Sequence, residues 1–176
     1  FVGTVSDSYC EELDGVQFIR TLNVREGRFS LDEIQYVNRE FHIKNSKSQI
    51  YNDDILIARV GANMGMVCKV SGLEKEANSA NVIIIKNSLT SNSDFYSLYL
   101  NSPKGQKQIQ AKGAGGAQEV LNISVAKTIV VPVPSLIEQT KIANFLTAID
   151  DKINNAQTQL AAVKQYKQGL LQQMFV

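Results

Sequence analysis

The sequence predicts a mixed α+β fold, a strand-rich domain with a small helical insertion, followed by one long C-terminal coiled-coil α-helix. Three observations carry that expectation. Short β-branched runs alternate with glycine, asparagine and aspartate turns through the first half of the chain. Two stretches of helical period follow between residues 93 and 112. Finally, counting alternately four and three from Ile142 lands on Leu146, Ile149, Ile153, Ala156, Leu160, Val163, Lys167, Leu170 and Met174, so nine of ten seam positions are apolar. A stripe of two positions in seven, sustained over that length, is the seam of a coiled coil rather than the wider face of a globular helix.

Residues 16–20 read as a short strand, and 23–28 as a polar loop that turns at Gly27 and carries Arg25 and Arg28. Asn52, Asp53 and Asp54 make a turn expected to solvate both carboxylates, ahead of a strand at 55–60 with Arg59 near its end. Gly61 and Gly65 bracket Ala62, Asn63 and Met64, and 66–70 returns, which predicts a hairpin or tight connection. Residues 81–86 give a further strand, whose segment 82–85 is expected to be buried on both faces. Ser93 then caps a helix with Phe95, Leu98 and Tyr99 on one face, and Ser102-Pro103 opens a second helix through Lys112. Gly113, Gly115 and Gly116 end it in a flexible loop, and Asn122 or Ser124 caps a short turn before a strand at 129–133.

Pro132 and Pro134 cannot lie inside a helix, and Ser135 with Glu138 forms a capping box. The long helix therefore starts at Leu136 and runs to Met174, roughly 58 Å at about 1.5 Å per residue. Residues 1–134 hold no second heptad to pair with it, so it projects and needs a partner. The break between domain and helix falls in the VPVPS stretch, giving units 1–134 and 135–176.

With 44% hydrophobic and 20% charged residues the chain has the composition of a folded protein, and its net charge of +1 announces no global basic field. No apolar run approaches the length of a membrane span and no signal peptide is present, so the cytoplasm is the expected compartment. Cys10 and Cys68 lack metal-ligand spacing and read as reduced, partly buried thiols. His42, the single histidine, reads as an exposed side chain rather than a ligand. No nucleophile elbow, phosphate-binding loop or dinucleotide fingerprint occurs, and Asp53 and Asp54 lack the spacing to Glu74 and Glu76 that a metal-dependent nuclease requires. The residues describe a non-catalytic binding module with an assembly helix.

The segment LNISVAKTIVVPVPSLIEQTKIANFLTAIDDKI and the ending QYKQGLLQQMF closely resemble the end of one repeat in specificity subunits of Type I restriction-modification enzymes. FIRTLNV, DDILIARVG, the strand after NSANV, the helices around YLNSPKGQKQI and a G-x-x-G-A-Q loop resemble, in that order, the target recognition domain of the same family. The resemblance implies sequence-specific binding of double-stranded DNA, each recognition domain reading one half of a bipartite site. It implies helices paired antiparallel as a spacer, and docking to modification subunits and, beyond them, restriction subunits. S-adenosylmethionine is then expected in the modification subunit, with no cofactor in this chain. Where the family carries two domain-plus-helix repeats this sequence has one, which fits either a fragment or a half-size subunit forming an antiparallel homodimer. The alternative is a protein-interaction adaptor whose C-terminal helix docks into a partner coiled coil.

By resemblance and chemistry together, the base-reading candidates are Arg25, Arg28, Arg59, Asn63, Ser79, Asn81 and Gln118, since arginine suits guanine, and asparagine or glutamine suits adenine. Lys44, Lys47, Lys104, Lys107 and Lys112 are candidate phosphate contacts, which position without specifying. Gly61, Gly65 and Gly116 read as backbone requirements. Lys167 interrupts the dimer seam, where it either frays harmlessly or sets register.

Overall fold

The computed structural model describes residues 5–113 and 120–175. In chain order its elements are β1 (Tyr9–Cys10), β2 (Val16–Ile19), β3 (Val24–Arg25), β4 (Arg28–Phe29), β5 (Gln35–Val37), α1 (Arg39–Lys44), β6 (Gln49–Ile50), β7 (Ile55–Ala58), β8 (Val67–Lys69), β9 (Ala77–Ser79), β10 (Val82–Ile85), α2 (Ser93–Asn101), α3 (Pro103–Gly113), α4 (Ile123–Ala126) and α5 (Leu136–Met174). This is the mixed fold the sequence predicts, strand-rich and ending in a long helix.

Among the described residues the strands form three sheets. One has the order β1-β5-β2-β9-β6, one β10-β7-β8, and β3-β4 is a hairpin. Only the β2–β9 pairing is parallel. Strand periodicity then builds the layers. On β7, Leu56 and Ala58 face the core shared with Ile19, Ile50 and Ala77 of the larger sheet, while Ile55 and Ile57 face Leu100, Ile109 and Leu121 on the helical side. On β2, Phe18 packs with Val37 and Phe41 while Ile19 faces the inter-sheet core. The order of layers is thus α1, the larger sheet, the three-stranded sheet, then α2 and α3.

The α2–α3 corner is closed by backbone contact. A Cβ on Gly105 would lie 2.4 Å from the Tyr99 carbonyl oxygen and 2.6 Å from that of Leu100. Gly105→Ala is therefore expected to cost about 1–3 kcal/mol, read as a lowered urea midpoint at unchanged slope.

α5 has the bounds read from the sequence, and its capping box is formed: Glu138 N–H donates to Ser135 Oγ, and Ser135 N–H donates to Glu138 Oε2 at 3.0 Å. These bonds hold the Glu138 carboxyl below the usual carboxylate range. Buried Gln139 and Ala143, with Thr140 accepting from the Asn92 amide at 3.4 Å, anchor the helix to the rest of the fold. Ala143 is buried, and buried Gln139 accepts from Asn92 N–H at 2.8 Å while donating to the Pro134 carbonyl at 2.9 Å. Beyond Ala143 every described residue is exposed except half-buried Gly169, so the helix does project.

Five expectations are corrected. Strand β10 is not buried on both faces, because it is a sheet edge: Ile83 is buried but Ile85 is 40% exposed. The stretch 129–133 is not a strand; the Gln108 amide side chain takes the place of a ladder neighbour, donating to the Val130 carbonyl and accepting from its N–H, both at 2.9 Å. The α2 cap is Asn92 rather than Ser93, its side chain accepting from Phe95 N–H at 2.9 Å. Asp54 is not solvated: it is buried and accepts from Tyr51 N–H, Asn87 N–H and Lys86 Nζ. His42 is buried too, for a reason that bears on the site below.

Candidate functional site

Five of the residues singled out from the sequence line one cleft. Lys44 ends α1 and Lys47 lies in the 3-10 turn that follows; Ser79 ends β9, Asn81 makes the turn into β10, and Arg59 follows β7. Asn81 holds a φ of 57°, a left-handed conformation that asparagine tolerates better than most residues. With Asn45, Ser46 and Ser48, and an aliphatic floor of Val82, Ile83, Ile84 and Ile123, they enclose about 600 Å³. Among the described lining residues three are cations and none is a carboxylate.

The backbone fixes the Arg59 side of the cleft. Arg59 N–H donates to the Asn81 carbonyl at 2.9 Å, and the Arg59 carbonyl accepts from Leu121 N–H at 3.0 Å. The Arg59 Nε donates to the Leu121 carbonyl at 3.1 Å, which orients the guanidinium, and its two terminal nitrogens make no hydrogen bond among the described residues. A planar fork held in this way suits paired acceptors on a base edge or a phosphate.

The lysine side is fixed by buried polar groups. Asn38 caps α1 by accepting from Phe41 N–H at 2.8 Å. The fully buried Asn78 on β9 donates to the Asn45 carbonyl at 3.2 Å and to Ser48 Oγ at 2.7 Å, which leaves its Oδ1 to accept from His42 Nδ1 at 2.5 Å. On its other side the ring places Nε2 3.2 Å from Gln49 Nε2 and 3.4 Å from Glu76 Oε1. His42 is consequently a strut that holds the turn bearing Lys47 against the sheet. Lys44 and Lys47 are exposed and take part in no described ion pair, so their charges face solvent and any ligand.

The other sequence candidates are not brought to this cleft. Arg25 and Arg28 face each other across the β3–β4 hairpin, which Gly27, at φ 65°, turns against Val67 of β8, the opposite edge of the three-stranded sheet from β10. Lys104 and Lys107 are exposed on α3, over the Gly65 turn, where Gln106 donates to the Gly65 carbonyl. Asn63 is buried and donates to the Thr21 and Val24 carbonyls, so its amide hydrogens are committed to the fold. The Ser79 hydroxyl is likewise spent on the Ser48 carbonyl. Gly61 and Gly65 have φ of 78° and 85°, as a backbone role requires. Gln118, Gly115 and Gly116 lie outside the described residues, as does the Lys112 side chain.

Asn45, Ser46 and Ser48 line the cleft and were missed by sequence reasoning, together with the strut residues Asn78 and His42. The local signal was present: Asn38 as a cap, with Glu40 in the first turn and Lys44 in the last, marks a short helix. Next to the cleft and sharing Ile83, Ile84 and Ile123 with it, an apolar groove of about 560 Å³ runs toward Tyr96, Ile129 and Val131.

The seam of α5 is open. Leu146 is 38% and Val163 64% exposed in the single chain. Ala143, which packs on the domain, lies about 100° around the helix from Ile142, and buried Gln139 lies one heptad before Leu146, so the domain docks on the first turns of α5 and the apolar seam is open from Ile142 onward. Burial pushes the Cys68 thiol up to about 12, which makes it inert at neutral pH. Among the described residues no group of His, Cys, Asp and Glu could hold a metal ion, and no helix is long and apolar enough to cross a membrane.

Comparison with known proteins gives a consistent set of similarities. Residues 12–165 match the family model described as Type I restriction modification DNA specificity domain. The chain is 25% identical over 174 residues to the Type I restriction enzyme EcoBI specificity subunit of Escherichia coli, covering 92% of this chain and 35% of the relative. It is 24% identical over 166 residues to the putative type I restriction enzyme MjaX specificity subunit of Methanocaldococcus jannaschii, covering 92% of this chain and 39% of the relative. A solved chain described under "Structural basis underlying complex assembly and conformational transition of the type I R-M system" superposes with a TM-score of 0.65 at 18% identity, over 95% of this chain and 40% of its own, a likeness of fold. The chain thus spans between about a third and two fifths of the length of these relatives.

Proposed function

Because the chain belongs to the Type I restriction modification DNA specificity domain family, we propose that it is a non-catalytic subunit that recognises one half of a bipartite DNA site. Residues 1–134 are the recognition unit and residues 135–176 the spacer, pairing antiparallel with a second copy through the open seam. Modification subunits, which would bind S-adenosylmethionine, and restriction subunits assemble on it in the cytoplasm.

One observation carries this reading, the cleft that gathers Lys44, Lys47, Arg59 and Asn81 with no carboxylate among its described lining residues. Arg59 and Asn81 carry donors of the kind that read base edges, and Lys44 and Lys47 supply charge to the backbone beside them. Charge reversal of Lys44 and Lys47 together is expected to weaken binding to every DNA sequence and to flatten the log–log salt dependence by about two units, measured by fluorescence anisotropy. Arg59→Ala should instead relax discrimination at one base position, by about 1–3 kcal/mol. An unchanged salt slope in the double lysine variant would remove the cleft from the DNA interface.

The adaptor reading has one observation in its favour, the apolar groove beside the cleft. A chain that binds the modification subunit but competes for neither random nor defined DNA in a gel shift would support it.

A further inference from the structure

The charges of α5 are arranged in a way that one copy of the helix does not explain. Asp150 has no cation three or four residues away on either side, and Lys164 and Lys167 have no acid there. The two lysines are instead neighbours of like charge at a spacing that costs helix stability. No described ion pair involves any residue of α5. Asp150 and Lys164 lie fourteen residues apart, about 21 Å along the axis, so they cannot meet within one chain.

A second copy brings them together. The alternating four-and-three spacing from Ile142 to Met174 is the same in both directions, so an antiparallel copy with its twofold axis at residue 158 superposes every seam position on another. Ile142 then lies opposite Met174, small Ala156 opposite large Leu160 on each side of the axis, and Lys167 opposite Ile149. Asp150, next to Ile149 on the flank of the seam, falls between Lys164 and Lys167 of the second copy, and the contact occurs twice by symmetry. A parallel pair in register would set Lys167 against Lys167 and Ala156 against Ala156, and would place Asp150 beside Phe145. Sliding the antiparallel pair by one heptad moves Asp150 to Gln157 or Leu171.

We propose that Asp150, seated between Lys164 and Lys167 of a second copy, selects the antiparallel orientation and the register of the homodimer. This rests on the reading of α5 as a homodimer seam and adds the residues that decide its geometry. Lys167 is then a specificity element of the seam rather than a frayed end, since a polar residue at one seam position can specify register at a cost in stability.

Asp151 provides the control. It is the neighbouring acid, makes the same charge change when substituted, and points away from the seam in every pairing considered. The test is the dimer dissociation constant of the full chain by sedimentation at about 50 and about 500 mM salt. Asp150→Lys is expected to raise it about tenfold or more at low salt and less at high salt, and Asp151→Lys by no more than about twofold. The charge-exchanged variant carrying Asp150→Lys, Lys164→Asp and Lys167→Asp should recover the wild-type value. Orientation is read separately in a Cys10→Ser background, where Ile142→Cys copies should cross-link to Met174→Cys copies and not to one another. Equal effects of Asp150→Lys and Asp151→Lys, or self-linking of Ile142→Cys copies, overturn the proposal while leaving a homodimer standing. A wild-type chain that stays monomeric at every concentration overturns the homodimer itself.

Discussion

Changing Leu146 and Leu160 to aspartate is expected to leave a folded monomer. Both side chains are exposed in the single chain and neither belongs to a buried cluster, so the domain loses nothing when they are replaced. In the paired helix each would be buried, at about 1.5–3 kcal/mol per leucine. Four such residues per dimer amount to about 6 kcal/mol at the lower bound, or about four orders of magnitude in the dissociation constant. Light scattering should report the monomer mass while thermal unfolding of the domain stays within about two degrees of wild type. DNA carrying one half-site should still bind, and DNA carrying two should lose the gain that comes from linking them. A dimer that persists in this variant would require a different interface.

Asn78→Ala is expected to have the largest effect within the domain. Its side chain makes three hydrogen bonds, to His42, Asn45 and Ser48, and an alanine leaves the buried His42 Nδ1 hydrogen without its partner, while the Asn45 carbonyl keeps its bonds from the Ser48 N–H and hydroxyl. One unsatisfied buried group costs about 1–3 kcal/mol and each further lost hydrogen bond about 1 kcal/mol, so a loss of about 2–4 kcal/mol of stability is expected. The loss should be local in origin. Amide exchange should accelerate first in residues 42–48, and DNA affinity should fall even at temperatures where the variant is fully folded, because Lys44 and Lys47 lose their fixed seat. A stable variant with unchanged exchange in that segment would show that the strut is not what holds the turn.

These two substitutions mark the limits of what local sequence carries. The α5 helix was legible to the residue because its signals are local: a capping box at Ser135 and Glu138, prolines before it, and a heptad within it. Strand β7 and the Gly61–Gly65 turn were legible for the same reason, the β-branched run and the glycine punctuation being adjacent in sequence. What failed was set by partners far away. His42 read as exposed because nothing near it in sequence suggests burial; its partner Asn78 is 36 residues distant. Asp54 read as a solvated turn residue because the Lys86 that neutralises it is 32 residues away. Residues 129–133 have the composition of a strand, but a glutamine side chain from α3 satisfies Val130 where a strand would otherwise pair. The strands β1, β3, β4 and β6 have two residues each, too few to display a period.

The candidate site was legible in part for a related reason. Residue type singled out Lys44, Lys47, Arg59 and Asn81, and the fold gathers them into one cleft. Residue type also singled out Asn63 and Ser79, which have the right chemistry for a base and spend it on backbone carbonyls instead. A polar side chain next to a glycine turn is as well suited to closing that turn as to meeting a ligand, and only the folded arrangement distinguishes the two.

The most direct measurement is the map of methylated bases in cells where this chain is the sole specificity component beside its modification subunit. The expected result is one bipartite site whose two halves are identical and inverted, separated by a fixed gap, and absent when Leu146 and Leu160 are aspartate. Methylation at an asymmetric site, or at sites that persist unchanged in that variant, would contradict recognition of two half-sites by two copies held apart by the helix.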